Sequence, residues 1–221
     1  MKYRTIFSNL HGNINTEIDN DDDTSECFYP MLVNGVEIET DGFEGLLSIE
    51  NPEQYSENQL TQFDYDIKYP YKDKTKKMLV LKNYQLNSFI PISVLEIKTG
   101  KRIEAEVQIT MSHDGIDFKR ICSLLGKKSE SSYMDDVFDE LQKQLKGNYI
   151  MEICSNCKNS SWHPYGGNEF FNHLCFKTEA EAFQAIEIKN KMSVGGFMKY
   201  DNDKNFELVQ LTDYCNKFEA Q

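Results

Sequence analysis

The chain has 221 residues, of which 39% are hydrophobic and 27% are charged, and this composition excludes an intrinsically disordered protein. Its formal net charge of −12 disfavours binding to nucleic acid or to an anionic membrane, because both carry negative charge. The sequence contains neither a run of about 18 apolar residues nor the apolar stretch of a signal peptide, so we expect a cytoplasmic protein without a transmembrane helix.

An acidic segment comes first along the chain. Residues 1–50 contain two basic and eleven acidic residues, and the acidic residues are densest between positions 19 and 26. Charges this close repel one another, so a solvated loop between two strands is predicted there; the spacing of an EF-hand calcium loop is missing. Asp21, Asp22 and Asp23 are candidate partner-binding residues, because an acidic surface can block the basic cleft of another protein.

Alternation of apolar and polar residues dominates the chain up to about residue 125. Such alternation is typical of antiparallel strands that bury one face. The residues predicted to face inward are Phe63, Tyr65, Ile67 and Tyr69 in one run, and Ile103, Ala105, Val107, Ile109 and Met111 in another. Turn signals separate the strands at Asn34-Gly35, Thr99-Gly100 and Asp114-Gly115. We therefore predict an acidic antiparallel β-sandwich-like N-terminal domain over residues 1–128.

The periodicity then changes to that of a helix. The residues that share one face of this predicted helix are Met134, Val137, Phe138, Leu141 and Leu145. Gly147 is suited to the C-terminal end, and a second helix is predicted to begin at Thr178, where Glu181 completes a capping box. The predicted fold class is therefore α+β, in which the β-sandwich-like half precedes a helix and a compact zinc-bound α+β module over residues 129–221.

A cysteine-rich segment lies between the two predicted helices. Cys154 and Cys157 form a Cys-x₂-Cys pair, Cys175 follows, and Cys215 lies near the end of the sequence. Cytoplasmic cysteines are more often thiols or metal ligands than disulfides, and zinc takes four ligands in a tetrahedron with sulfur at about 2.3 Å. The four cysteines are predicted to bind a structural zinc ion. His173 is the alternative fourth ligand, and iron is the alternative metal.

Competing interpretations of these residues remain. Cys154 and Cys157 could form a thioredoxin-type redox pair, although such a pair begins a helix after a strand, or they could be independent thiols. Cys122, like Cys27, is predicted to be a small apolar core residue. Trp162 and Tyr165 belong to an aromatic loop that is either a partner-binding surface or a small satellite core.

The cysteine segment also carries a resemblance. Its residues are Cys154, Cys157, Ser161, Pro164, Tyr165, Gly166, Gly167, Leu174, Cys175 and Phe176. This pattern resembles the C-terminal segment of an uncharacterised bacterial domain-of-unknown-function family, and residues 34–46 are similar to an element of its N-terminal half. Residues 212–218 are similar to the element that ends the family, which favours Cys215 over His173 as a ligand. The family has no established activity, but its small cytosolic members look similar to immunity proteins of toxin systems.

These observations predict a non-enzymatic intracellular binding protein with a structural zinc site, such as an immunity or adaptor protein. Its expected partner is a protein, for example a basic toxin or enzyme, rather than nucleic acid or a membrane. Phosphate-binding loops, dinucleotide fingerprints, nucleophile elbows and His-Glu-x-x-His motifs do not occur in the sequence. The alternative function is an enzyme, either a metal-dependent hydrolase or a thiol redox protein that uses Cys154 and Cys157.

Overall fold

The structure is a computed structural model, and it describes residues 2–19, 29–40, 43, 46–69, 75–162, 173–175, 207–209, 218 and 220. Within these residues, one large sheet contains β1 (Lys2–Asn9), β2 (Gly12–Asp19), β3 (Tyr29–Val33), β4 (Val36–Thr40), β5 (Ser48–Ile49), β6 (Asp64–Lys68), β7 (Met78–Lys82), β8 (Tyr84–Glu96), β9 (Lys101–His113), β10 (Phe118–Leu124), β11 (Lys127–Ser131) and β12 (Tyr149–Met151). A second sheet contains β13 (Ser160–Trp162), β14 (His173–Cys175) and β15 (Glu207–Val209). The α-helices are α1 (Glu57–Leu60) and α2 (Met134–Leu145), and 3₁₀ turns cover Pro52–Gln54 and Cys154–Asn156.

The strands of the large sheet follow the order β11-β10-β9-β8-β1-β2-β3-β4-β5-β7-β6, and β12 pairs with β8 outside this path. Neighbours along the chain are neighbours in the sheet over most of this order, which is the expected result of short hairpin connections. The chain divides into two compact units, Met1–Ile90 with Glu106–Leu141 and Pro91–Ala105 with Gln142–Gln221. β8, β9 and α2 each contribute residues to both units.

The core of the first unit consists of the inward faces of its strands. Along β1, β3 and β4 the buried residues alternate with exposed or half-buried ones, as the sequence pattern predicts. The largest fully buried side chains are Phe7, Phe43, Phe138, Ile18, Met31, Ile38, Leu47, Ile49, Leu79 and Leu81. In β9 the predicted alternation is confirmed: Val107, Ile109 and Met111 are fully buried, and Ile103 and Ala105 are half-buried between exposed neighbours.

Helix α2 confirms the prediction of a helix with one apolar face. All five residues assigned to that face are buried, none of them more than 1% exposed: Met134, Val137, Phe138, Leu141 and Leu145. The hydroxyl of Ser129 in β11 donates to the carbonyl of Val137 at 2.6 Å and fixes the helix beside its preceding strand. Neither α-helix in the described part of the chain is long and apolar enough to cross a membrane. The helix predicted at Thr178 lies outside the described residues.

Two hairpins of the first unit have two-residue turns in which both central residues have a positive φ, as type I′ turns require. Asn34 and Gly35 connect β3 to β4 with φ values of 48° and 81°, so the predicted Asn-Gly turn is confirmed. Leu125 and Gly126 connect β10 to β11 with φ values of 48° and 74°. The sequence did not predict this second turn, because leucine rarely adopts a positive φ.

The strand predicted around residues 63–69 exists, but its inward face was predicted wrongly. Phe63 is buried, whereas Ile67 is 49% exposed and Tyr69 is 60% exposed. β6 is the last strand in the order of the sheet, and in the described part of the chain it pairs only with β7. An edge strand can therefore show the alternation of a buried strand while much of its apolar face stays in solvent.

The predicted α+β fold class, a β-sandwich-like half joined to a compact zinc-bound α+β module, is wrong. The described residues form mainly antiparallel sheet, and α2 is their one helix of more than four residues. β12 lies within the predicted module, but it joins the large sheet by pairing with residues 94–96 of β8. Three residues are too few to show a period of two, and their partner lies more than fifty residues earlier in the sequence, so the pairing left no local pattern.

Candidate functional site

The predicted cysteine pair lies in a tight turn of the second unit, immediately after β12. Cys154 begins the 3₁₀ turn and Cys157 follows it, with the N–H of Cys157 donating to the carbonyl of Cys154 at 3.1 Å. Ser160 fixes this turn from the C-terminal side. Its N–H and its hydroxyl each donate to the carbonyl of Cys157 at 3.1 Å, and the hydroxyl also contacts the carbonyl of Cys154.

The structure brings the third predicted ligand to the same turn. Cys175 in β14 pairs with Ser160 in β13, so it lies opposite the residue that fixes the turn. Cys154 and Cys175 contact each other in a buried cluster and are 6% and 5% exposed. Cys157 is also buried and forms an isolated antiparallel bridge with Ala220. Two sequence segments and a residue near position 220 thus meet around the cysteine turn.

The structure describes only some of the other predicted site residues. Trp162 and His173 pair through their backbones in the sheet of β13 and β14. The other predicted site residues lie outside the described residues: Asp21, Asp22, Asp23, Tyr165 and Cys215. The structure therefore places three of the four predicted cysteine ligands.

We tested whether these residues fit a zinc ion. Thiolates are suitable zinc ligands, and buried contact between Cys154 and Cys175 is consistent with a shared ion. However, among the residues that the structure describes, no three His, Cys, Asp or Glu side chains are grouped as metal ligands. The donor chemistry fits zinc, and the described geometry supplies part of a site rather than a complete one.

A buried carboxylate precedes the cysteine turn. Glu152 is 1% exposed, and its two carboxylate oxygens each accept a hydrogen bond from Nε of Arg102 at 2.9 Å. The Ser93 hydroxyl donates to the same carboxylate at 2.6 Å, and the Glu152 N–H donates to the Ser93 carbonyl at 2.9 Å. Glu152 is not among the predicted site residues, although an acid within the apolar run YIMEIC is a signal of a paired buried charge.

Helix α2 fixes the turn from another side through one glutamine. The Gln142 amide donates to the carbonyl of Tyr149 at 3.1 Å and accepts from the N–H of Met151 at 2.9 Å. Asn156, which lies between the two cysteines, donates to the Gln142 amide oxygen and to the Met151 carbonyl, both at 2.9 Å. These bonds fix the position of the cysteine turn relative to β12 within the second unit.

A second candidate site lies in the first unit, at the end where two hairpins turn. The β1–β2 turn contains Leu10 and the β9–β10 turn contains Ile116, which are 83% and 89% exposed. No other large apolar side chain in the described part of the chain is as exposed as these two. We refer to residues 9–12, 83 and 113–118 as the hairpin end.

Polar side chains give the two turns of the hairpin end a defined conformation. The Asn9 side chain accepts from the N–H of His11 at 2.9 Å and donates to the Gln62 carbonyl at 2.8 Å. The Asp114 carboxylate accepts from the N–H groups of Ile116 at 3.0 Å and of Asp117 at 2.8 Å. These bonds lower the pKa of Asp114, so its carboxylate is charged when it holds the turn.

The hairpin end is acidic and has an aromatic base. Exposed carboxylates come from Asp114 and Asp117, and the half-buried Asp64 accepts from the Asn83 side chain at 3.0 Å. Below them the His113 imidazole lies between two rings, with centroids 6.0 Å from Tyr84 and 6.2 Å from Phe118. The Ile116 tip is therefore flanked by the two carboxylates of its own turn, and packed rings lie at the base of this hairpin.

Cys122 is not suited to nucleophilic chemistry. It is fully buried, and burial raises the pKa of its thiol, so the thiol stays protonated at neutral pH. Its predicted role as a core residue is confirmed.

Comparison of the chain with protein-family models, with curated proteins and with solved structures gave no match. The resemblance of the cysteine segment to a bacterial family therefore stays a prediction.

Proposed function

We propose that the protein acts by binding another protein through the hairpin end, and that a zinc ion stabilises its cysteine turn. The observation that carries the first proposal is the pair of apolar tips, Leu10 and Ile116, whose side chains are almost completely in solvent. Large apolar side chains concentrated on one exposed surface are characteristic of interaction sites, because their exposure is unfavourable until a partner covers them.

The two tips lie near each other at one end of the unit. Ser8 of β1 pairs with Gln85 of β8, which brings Leu10 beside Asn83. On the other side of β8, the Asn83 side-chain oxygen lies 3.7 Å from the position that a Cβ on Gly115 would occupy. Since adjacent strands are about 4.8 Å apart, the two turns are separated by about 10 Å, a distance that one partner surface can cover.

The charges around the tips indicate the chemistry of the partner. Asp114 and Asp117 flank Ile116 in its turn, and Asp64 accepts a hydrogen bond from Asn83. Lys82 is paired with Asp66 at 2.8 Å. A complementary surface would contain an apolar depression bordered by lysine or arginine, which agrees with the expected basic toxin or enzyme. Hydrogen bonds already hold these two turns in one conformation, so binding would cost less conformational entropy than it would for flexible loops.

The test is affinity capture from an extract of the source organism, with the full chain as bait. We expect a partner that the wild type retains and that a Leu10→Asp/Ile116→Asp variant loses, because both substitutions place a charge against the apolar depression. Leu32→Asp is the matched control, since Leu32 is 60% exposed in β3, away from these turns. Unchanged melting of all variants would exclude misfolding. Retention of the same proteins by the double variant would contradict the proposal.

The predicted acidic segment has its own kinetic test with the captured partner. Replacing Asp21, Asp22 and Asp23 by asparagine should slow association and reduce its dependence on salt, because long-range attraction mainly raises the association rate. Unchanged association kinetics would exclude this segment from the interaction and leave the hairpin end as the binding site.

We propose Cys154, Cys157, Cys175 and Cys215 as the zinc ligands. Three of them are buried in one turn and the strand beside it, and Cys154 contacts Cys175. The bridge between Cys157 and Ala220 supports Cys215, because Cys215 is five positions from Ala220 and a chain of that length spans at most about 17 Å when extended. A closed set of four thiolates would connect these segments and would leave no position for a substrate.

Elemental mass spectrometry on protein purified without added metal tests this assignment. We expect close to one zinc per chain, a large loss in Cys215→Ser, and no loss in His173→Asn. Loss in His173→Asn alone would assign the fourth position to His173 instead. A wild-type protein without zinc would return Cys154 and Cys157 to thiol chemistry and contradict the proposal.

A further inference from the structure

We infer that the second unit contains a binding pocket for a small amphipathic carboxylate. The pocket is separate from the hairpin end, and the inference does not depend on the zinc proposal. It has a volume of about 480 Å³, within the range of about 300–1,000 Å³ that is typical of small-molecule sites. The last turn of α2, the following loop, β12 and the residue after β8 form its walls.

Most of the pocket surface is apolar. Ile97, Tyr149 and Ile150 line it, and Ile97 is 46% exposed although it follows directly after a strand. Exposed aliphatic and aromatic surface inside a concave site favours a ligand with an apolar chain or ring, because the ligand removes that surface from water.

Backbone and side-chain hydrogen bonds give the pocket a fixed shape. The N–H of Ile97 donates to the Asn148 carbonyl at 2.9 Å, which connects the wall after β8 to the loop after α2. Gln142 bonds to the backbone of Tyr149 and Met151, and thus connects α2 to β12. A site that is built before the ligand arrives loses little conformational entropy on binding.

The charges of the lining select an anion. Lys143 and Lys146 belong to it, and residues three positions apart lie next to each other on a helix surface. Among the residues that the structure describes, nine line the pocket and none of these is acidic, although the whole chain has a net charge of −12. A lining that combines two lysines with an apolar surface therefore matches a ligand with one carboxylate and an apolar body.

The Asn156 amide of the lining does not compete for this role. Both N–H groups of the Asn156 amide are already donated, to the Gln142 side chain and to the Met151 carbonyl. The Gln142 amide oxygen accepts two hydrogen bonds. We assign recognition of the polar end of the ligand to the lysines because they are the charged side chains of the described lining, so charge should contribute more than amide hydrogen bonding to which ligands bind.

Titration calorimetry of the full chain with decanoate, below its micelle-forming concentration, tests the inference. We expect one site per chain, and much weaker binding of acetate, which lacks the chain, and of decyltrimethylammonium, which has the opposite charge. The variant Lys143→Gln/Lys146→Gln should weaken decanoate binding about tenfold or more, as expected for two charge-assisted contacts. Ile97→Ser should weaken it several-fold through lost apolar contact.

The matched control is Lys76→Gln/Lys77→Gln, which changes the net charge equally but alters exposed lysines of the first unit. It should bind decanoate like the wild type. The inference is overturned if decanoate does not bind at millimolar concentration, if decyltrimethylammonium binds equally well, or if both double variants weaken binding to the same extent. Melting curves of every variant exclude loss of the fold as the cause.

Discussion

The two units differ in the kind of interaction that determines their structure. In the first unit, long strands place alternate residues in an apolar core that includes fully buried phenylalanine, isoleucine and leucine side chains. In the second unit, the described strands outside β8 and β9 have three residues each, and polar side chains such as Glu152, Gln142 and Ser160 bond to backbone or to charges distant in the sequence. The comparison shows that one chain can combine non-directional apolar burial with a small number of directional bonds.

The largest expected effect comes from the apolar core of the first unit. Phe7 is 1% exposed, contacts Phe63 edge-on with ring centroids 5.9 Å apart, and stacks on Tyr84 at 6.2 Å. Phe7→Ala should lower the free energy of unfolding by about 4 kcal/mol, because it removes apolar contacts and leaves a cavity.

Urea denaturation measures this loss. The control is Phe89→Ala, since Phe89 is only half-buried and carries the Arg4 guanidinium 3.7 Å above its ring. Losing this cation–π contact should lower the free energy of unfolding by about 1 kcal/mol. Equal losses in the two variants would show that the buried face does not dominate the stability of the first unit.

The polar network of the second unit should give the next largest effect. Glu152→Ala removes the partner of Arg102 and Ser93 and should lower the free energy of unfolding by about 2 kcal/mol. Breaking a fully buried ion pair would lower it more, but the Arg102 side chain is 60% exposed. Arg102→Ala should cost a similar amount, because it leaves the Glu152 charge buried without its guanidinium partner.

A double-mutant cycle measured by urea denaturation tests this pairing. The cost of Glu152→Ala/Arg102→Ala should be clearly smaller than the sum of the single costs. Glu104→Ala, an exposed acid in β9, is the control and should change stability little. Additive costs would mean that the two side chains do not interact energetically.

These differences explain how much the sequence could predict. The face of α2 and the alternation of β9 were predicted correctly, because a helix or strand of ten or more residues repeats its pattern several times. β12 joined the large sheet without a sequence signal, and the partners of Glu152 lie about fifty residues away or more. Such pairings depend on long-range geometry, which periodicity does not contain.

The candidate sites show the same difference between local sequence patterns and long-range geometry. The Cys154–Cys157 turn was predicted from its spacing, and the structure brings Cys175 to it. The hairpin end was not recognised, because Leu10 and Ile116 look like ordinary strand residues in the sequence. An apolar residue within a hairpin turn, next to glycine or aspartate, is the signal that could have identified them.

The unpredicted turn of the first unit offers a stabilising change. Leu125 has a φ of 48°, a conformation that is unfavourable for leucine and acceptable for asparagine. Leu125→Asn reproduces the Asn34-Gly35 turn and should raise the free energy of unfolding by about 1 kcal/mol. Thermal denaturation measures the gain. Leu125→Ala is the control: an equal gain there would mean that removing an exposed apolar side chain, rather than relieving the backbone, stabilises the protein.

The smallest effect concerns the charges on β4. Burial, with added repulsion from Glu50 and Glu37, raises the pKa of Glu39 above its ordinary value of 4.5. The folded state therefore binds this proton more tightly than the unfolded state, so stability falls as the pH rises from 4.5 through the higher folded pKa. Glu39→Gln should stabilise the protein at pH 7 by less than about 1 kcal/mol, since the group is partly exposed. Denaturation at pH 7 and at pH 3 tests this: a gain of equal size at pH 3 would contradict an origin in ionisation.

The Gln142 amide also has a consequence for the behaviour of the protein in concentrated solution. Its two bonds occupy the carbonyl of Tyr149 and the N–H of Met151, which are the groups that an incoming strand of another molecule would use. One side chain thus terminates the hydrogen-bonding pattern of β12 in the way that another strand would. Another strand could pair with this edge only after the Gln142 bonds break, so an amide side chain has the protective role that a proline or a charged residue has on other edge strands.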